Sequence, residues 1–142
     1  MPKLSLDQAQ KILSKTLEKG RDMGLNPLTI AIVDDGGSIK AFAREDGPGA
    51  ALRPQIAIGK AFGAVGMGIS SRAISERVLD RPHFGVALVG ASDGRLVPVP
   101  GGVLIKIGDD IIGAVGVSGD TSDNDEAAAI AGIEATGLIA GV

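Results

Sequence analysis

A core without large rings is the first thing this sequence imposes. Its 142 residues include three aromatic side chains, Phe42, Phe62 and Phe84, with no Tyr or Trp, against 22 glycines. Glycine averages roughly 7% in soluble domains, and 22 of 142 is about twice that. The glycines keep no three-residue period, so they point to tight turns and close backbone approach. Aliphatic side chains and alanine must then fill the interior. The 44% hydrophobic content and the mean hydropathy of +0.27 supply enough of them. A chain of this length buries about 68–70% of its unfolded surface without staples, so it is read as one domain over residues 1–142.

Composition also removes whole chemistries. With no cysteine, disulfides, thiolate metal sites, iron–sulfur clusters and thiol catalysis are excluded. A net charge of −3 without a basic block argues against nucleic acid and anionic membranes as partners. Bases would also find no aromatic platform to stack on. No apolar run approaches the roughly 18–20 residues of a membrane span. The start, Met1 to Gln8, passes straight into an amphipathic pattern with Asp7 in it, unlike a signal peptide. The expected location is the cytoplasm.

Patterning divides the chain into short elements. Ser5 with Gln8 forms a capping box ahead of a helical stripe, Leu6, Ala9, Ile12, Leu13, Thr16, Leu17 and Gly20, that closes at Gly24. Residues 28–33 and 38–43 read as a hairpin turned by Asp34-Asp35-Gly36-Gly37. Pro54 opens a helix whose apolar face carries Ile56, Ala57, Ile58, Ala61, Phe62 and Val65, with Lys60 in the middle. A further helix spans Ser70 to about Leu79. The stretch from His83 to Gly90 fits either a strand or a glycine-broken helix by pattern alone. Strands are expected at Leu96–Val99, Val103–Ile107 and Ile111–Val117, the last two as a hairpin. A final helix follows, with Ser122 and Asp125 as its capping box. Strands that come in hairpins indicate an α+β domain, a five-stranded antiparallel sheet with helices on its faces.

Several residues are candidates for chemistry. Ser118-Gly119-Asp120-Thr121 joins a strand to a helix start, where an anion can sit, but it lacks the ending of a phosphate-binding loop, and a structural turn is favoured. Asp120, Asp123, Asp125 and Glu126 invite a metal reading, yet their crowding into one helical turn fits capping better than a calcium loop. His83 is the only imidazole, suited to axial ligation or acid–base work. Lys60, if desolvated, has a lowered pKa and serves as a base or nucleophile, although such lysines more often reach back to solvent. Asp34 and Asp35 follow one strand of the first hairpin, while Arg44, Glu45 and Asp46 follow the other. They are read as neighbours on one rim.

The residues Ala31–Gly37, Arg44–Gly47 and Ile58–Ala64 resemble the GlcG/HbpS-like haem-degrading-domain family. So do Pro98–Val103, Ile112–Gly119 and Asn124–Glu126. The resemblance runs in order along nearly the whole chain. It implies a profilin-like or PAS-like α+β sheet, a tendency to form homo-oligomers, and a short helix rather than a strand over His83–Ala91. Some members bind haem, one type takes part in iron-linked sensing, and a related domain is the C-terminal part of PduO-type cobalamin adenosyltransferases. Two departures are Val103, where the family commonly has proline near the double glycine, and Arg44-Glu45-Asp46 in place of Arg-Met-Asp.

The first functional expectation is therefore a haem- or tetrapyrrole-binding protein, with His83, Lys60, Arg44, Gly101 and Gly102 at the ligand. Arg53 and Arg72 are further cations for propionates. The alternative is a catabolic enzyme or accessory protein acting on a small carboxylate or hydroxy-acid, with Lys60, Asp34 and Asp46 moving protons. Any pocket is expected between the Lys60 helix and the Gly101-Gly102 strand start, and a Lys60→Ala variant is expected to fold but lose ligand. The charge-free ending Leu138–Val142 is expected to lie in an interface between copies.

Overall fold

The computed structural model describes residues 2–142. The first helix, α1 (Leu6–Asp22), begins at the expected capping box: Gln8 N–H donates to Ser5 Oγ, and Ser5 N–H to Gln8 Oε1. It ends at Gly24, whose φ of 67° lets Leu25 N–H reach the Gly20 carbonyl and Gly24 N–H the Arg21 carbonyl. Next come β1 (Thr29–Asp34) and β2 (Ile39–Arg44) as an antiparallel hairpin. Three helices follow, α2 (Arg53–Met67), α3 (Ser71–Asp80) and α4 (Pro82–Ala91). The chain closes with β3 (Gly102–Ile107), β4 (Asp110–Ser118), α5 (Ser122–Glu134) and β5 (Ile139–Gly141). The α+β class, the five antiparallel strands and the helix over His83–Ala91 are as expected. Strand order is β2-β1-β4-β3-β5.

Alternation along the strands divides the interior into two layers. Ile30, Ile32, Val103, Ile105, Val115 and Val117 face α1 and α5 and form the larger core with Ile12 and Ile133. Ala31, Val33, Leu104 and Ala114 face the other way, towards α2. That second layer is thin. Gly102 and Gly116 stand opposite each other on β3 and β4. A side chain on Gly116 would run into the Ala57 carbonyl, and one on Gly102 into the Lys60 carbonyl, so α2 lies directly on strand backbone. Its buried face is accordingly Ala57, Gly59, Lys60, Ala61, Gly63 and Ala64. Ile56, Ile58, Phe62 and Val65 are only half-buried. The contact face is set by side-chain smallness rather than by hydropathy.

Three expectations are corrected. Leu96–Val99 is no strand: Val97 N–H donates to the Gly59 carbonyl, and Leu96 and Val97 pack on the glycines of α2. The fifth strand is the C-terminal Ile139–Gly141, paired with β3 through Leu104↔Gly141 and Lys106↔Ile139. Of the charge-free ending, Leu138 and Ala140 pack on the core, while Ile139 and Val142 stay exposed at this sheet edge. Finally, the cap of α5 is Thr121, whose Oγ1 accepts Asn124 N–H; Ser122 is the first helical residue and Asp125 turns inward.

Candidate functional site

Lys60 lies in the centre of the face that α2 presses onto the sheet and is 2% exposed. Its Nζ donates to the Val117 carbonyl at 2.8 Å and to Asp125 Oδ2 at 3.3 Å. Asp125 Oδ1 accepts Asp120 N–H at 2.9 Å. Burial lowers the Lys60 pKa, opposed by the Asp125 charge and aided by nearby Arg53. Burial raises that of Asp125, opposed by the Asp120 amide and by Lys60. Beside them, Arg72 Nε reaches both oxygens of Glu126 at 3.0 and 2.9 Å, and its Nη2 pairs with Asp123. The hydrogen bonds it donates to these carboxylates raise the guanidinium pKa further, so it stays charged. The acidic first turns of α5 therefore clasp one cation from α2 and one from α3.

Asp120 ties the end of β4 to the start of β1. Its carboxylate accepts Asn124 Nδ2 at 2.8 Å and the amides of Asn26 and Thr121 at 2.9 Å. Those three donors, the Asn124 side chain foremost, lower its pKa below the ordinary 3.8. A lowered carboxylate pKa gives stabilisation that is complete above the ordinary value and lost as pH falls through the folded one. Asp120→Asn should therefore melt a few degrees below the wild type at pH 7, with the gap closing as the pH is taken below about 4. A gap that stays constant from pH 7 to pH 3 in thermal melts by circular dichroism would exclude this linkage.

Of the openings outside these networks, two bear on the candidate residues. One is a small cleft of about 30 Å³ where Thr29, its cross-strand partner Arg44 and Arg53 meet, bordered by Pro27, Glu45 and Gly49. Thr29 Oγ1 and Arg53 Nε are buried there with no hydrogen-bond partner. The other is an open apolar groove of about 370 Å³ along the α3–α4 hairpin, lined by Val78, Pro82, Gly85, Val86, Val89 and Pro98. His83 is exposed in the first turn of α4, next to that groove.

The structure separates the candidates into distinct places. Lys60, Gly101 and Gly102 do come together, but the space between them is filled: a Cβ on Gly101 would lie 2.8 Å from Lys60 Nζ. The ammonium already holds two partners, and the expectation that Lys60→Ala folds normally gives way. Arg44 belongs to the small cleft with Arg53. Asp34 and Asp46 do not share a rim. In an antiparallel hairpin the end of β1 lies opposite the start of β2, so the two are separated by the length of six-residue strands, on the order of 20 Å. Asp34 Oδ1 accepts the Gly36 and Ser38 amides of the turn, and Asp46 is exposed beyond the far end. Sequence reasoning passed over Thr29 and took Asp125 for a cap. A lysine inside an apolar helix was itself a signal that a buried carboxylate had to exist elsewhere.

A family model described as the HbpS-like haem-degrading protein matches residues 4–134. The chain belongs to that family. Comparison with curated proteins finds no matching sequence. Solved structures of similar fold include a PduOC–haem complex, 24% identical over 96% of this chain and 97% of that one, with a TM-score of 0.85. ORFY of Klebsiella pneumoniae is 23% identical over 96% and 93%, also with a TM-score of 0.85. A double mutant of HbpS from Streptomyces reticuli is 24% identical over 95% and 88%, with a TM-score of 0.81. The family match therefore runs from the start of α1 to the end of α5. No described helix is long and apolar enough to cross a membrane.

Proposed function

We propose that this HbpS-like protein binds haem or a related tetrapyrrole on the open face of the α3–α4 hairpin. One observation carries the reading. Helix α4, Pro-His-Phe-Gly-Val-Ala-Leu-Val-Gly-Ala, has no charged residue, yet only Gly85 of its ten residues is buried. Val86 is 75% exposed and Leu79 on α3 is 78% exposed. An uncharged helix left in water is a surface awaiting an apolar partner. The chain's single imidazole stands on that helix, and the family match and the haem-bound neighbour favour haem as the partner.

The residues fit such a ligand. Val78, Val86 and Val89 offer an aliphatic wall for a flat ring, and His83 offers an imidazole nitrogen to the iron. Arg77 and Arg81, one helical turn apart and exposed, lie at the same end of the hairpin for the propionates, with Arg81 held over the Phe84 ring at 5.1 Å. When bound, haem supplies a redox-active iron tuned by its axial ligand and by the polarity around it.

Titrating haemin into the wild type should give a sharp Soret band, while His83→Ala should shift the band and weaken binding by roughly tenfold or more. An identical band in both proteins would remove His83 from the site. No band in either, together with a light-scattering mass of two or more chains, would give the α4 face to a second copy instead.

A further inference from the structure

We propose that the cleft between β1, β2 and the start of α2 is a second binding site, one that takes a small carboxylate. It is independent of the haem reading, since it lies around Thr29, Arg44 and Arg53 rather than on α4.

The cleft holds unanswered donors. Thr29 is 1% exposed, and its hydroxyl finds no partner; the Nε of Arg53 is likewise buried and unpaired. Native interiors rarely leave polar groups in that state, because each has given up water without replacement. Here two such groups line the same opening. Arg53 lies close against Gly49, where a Cβ would sit 2.9 Å from Nε, so the missing side chain leaves it room. Arg44, opposite Thr29 on β2, brings a second guanidinium to the rim.

The balance of charge around the cleft is positive. Helix α2 starts here with Leu52 as a cap that makes no side-chain hydrogen bond, and its first turn carries no acid. The positive end of its dipole is therefore uncompensated. The one carboxylate in the lining, Glu45, is committed: Oε1 accepts Leu28 N–H at 2.9 Å and Oε2 lies 3.9 Å from Arg21. Asp120 feels the charge of Arg53 but spends its oxygens on Asn26, Thr121 and Asn124. Two arginines against one carboxylate leave the lining with a net positive charge.

Size selects among anions. A water-sized atom needs about 10–15 Å³ of such volume, so about 30 Å³ admits two. Two oxygens in a plane are a carboxylate, and the fork of a guanidinium, its Nε–H beside an Nη–H, matches that group. A tetrahedral phosphate brings two further oxygens that the cleft does not seat.

The test is amide-resolved NMR of the full chain, titrated with sodium acetate and, separately, inorganic phosphate at constant ionic strength. Acetate should shift the amides of residues 29, 44 and 49–53 saturably. Arg53→Lys, which keeps the charge and loses the fork, should weaken acetate by roughly tenfold. Thr29→Val should melt at or above the wild-type temperature without acetate, because the unpaired hydroxyl is gone. It should also lose the acetate-induced rise in melting temperature. His83→Ala should bind acetate as the wild type does. Acetate shifts that are absent, lie elsewhere or persist unchanged in both cleft variants overturn the site, and phosphate binding as tight as acetate overturns its assignment to carboxylates.

Discussion

Gly116→Ala should melt far below the wild type, a large loss for one methyl group. The added carbon would overlap the Ala57 carbonyl and crowd the Ala61 amide, both of them helix backbone that cannot rotate away. Relief requires lifting α2 from the sheet and breaking its contacts with Val33, Ala114 and Leu104 together. Overpacking a core costs about 1–3 kcal/mol when side chains yield, and more when backbone must move. We expect at least about 4 kcal/mol, a fall in melting temperature on the order of 10–15 °C. Gly66→Ala is the control: it lies on the exposed side of the same helix with open space where the carbon would go, and it should be neutral or mildly stabilising. Thermal melts of the two variants decide the matter, and a Gly116→Ala protein within a few degrees of wild type would mean that α2 does not sit on β4 as described.

The second large effect belongs to the pair Lys60–Asp125. Removing one member strands the other without water or counter-charge, which costs about 3–5 kcal/mol. Lys60→Met and Asp125→Asn should each lose that much in urea denaturation. The double variant should recover about 2 kcal/mol of the summed loss, since the carboxamide oxygen brought in by Asp125→Asn can still accept the Asp120 amide and no bare charge remains. A Lys60→Met protein as stable as the wild type would return the lysine to ligand chemistry.

Local signals in the sequence carried far, and non-local ones did not. The capping box at Ser5, the turn at Asp34–Gly37 and the β3–β4 hairpin depend on residues a few places apart, and each is where the spacing put it. Leu96–Val99 looked like a strand because its apolar residues are bunched, but they answer to glycines on α2, and periodicity does not say which surface an apolar run will find. The three-residue β5 is too short to show a period at all. The site was harder. Lys60 and Asp125 are separated by 65 residues, and Arg72 and Glu126 by 54, so either half of each pair reads as an ordinary helical charge until the sheet brings α2, α3 and α5 to one end. Thr29 carried no signal, since a threonine in a strand is commonplace until its hydroxyl is found without a partner.

The strand order has a consequence for how the protein is made. β1 hydrogen-bonds β2 on one side and β4 on the other, so the second neighbour of a strand finished at residue 34 is not complete until residue 118. A ribosome adding about 5–20 residues per second takes roughly 4–15 s to travel from the end of β2 to the end of β4. Throughout that interval the nascent chain presents an unpaired edge bearing Ile30, Ile32 and Val33, the kind of edge that recruits other strands. Yield in the cell is then governed by what shields that edge during translation, and slowing elongation between residues 45 and 110 should send more of the product into aggregates even though the finished fold is unchanged.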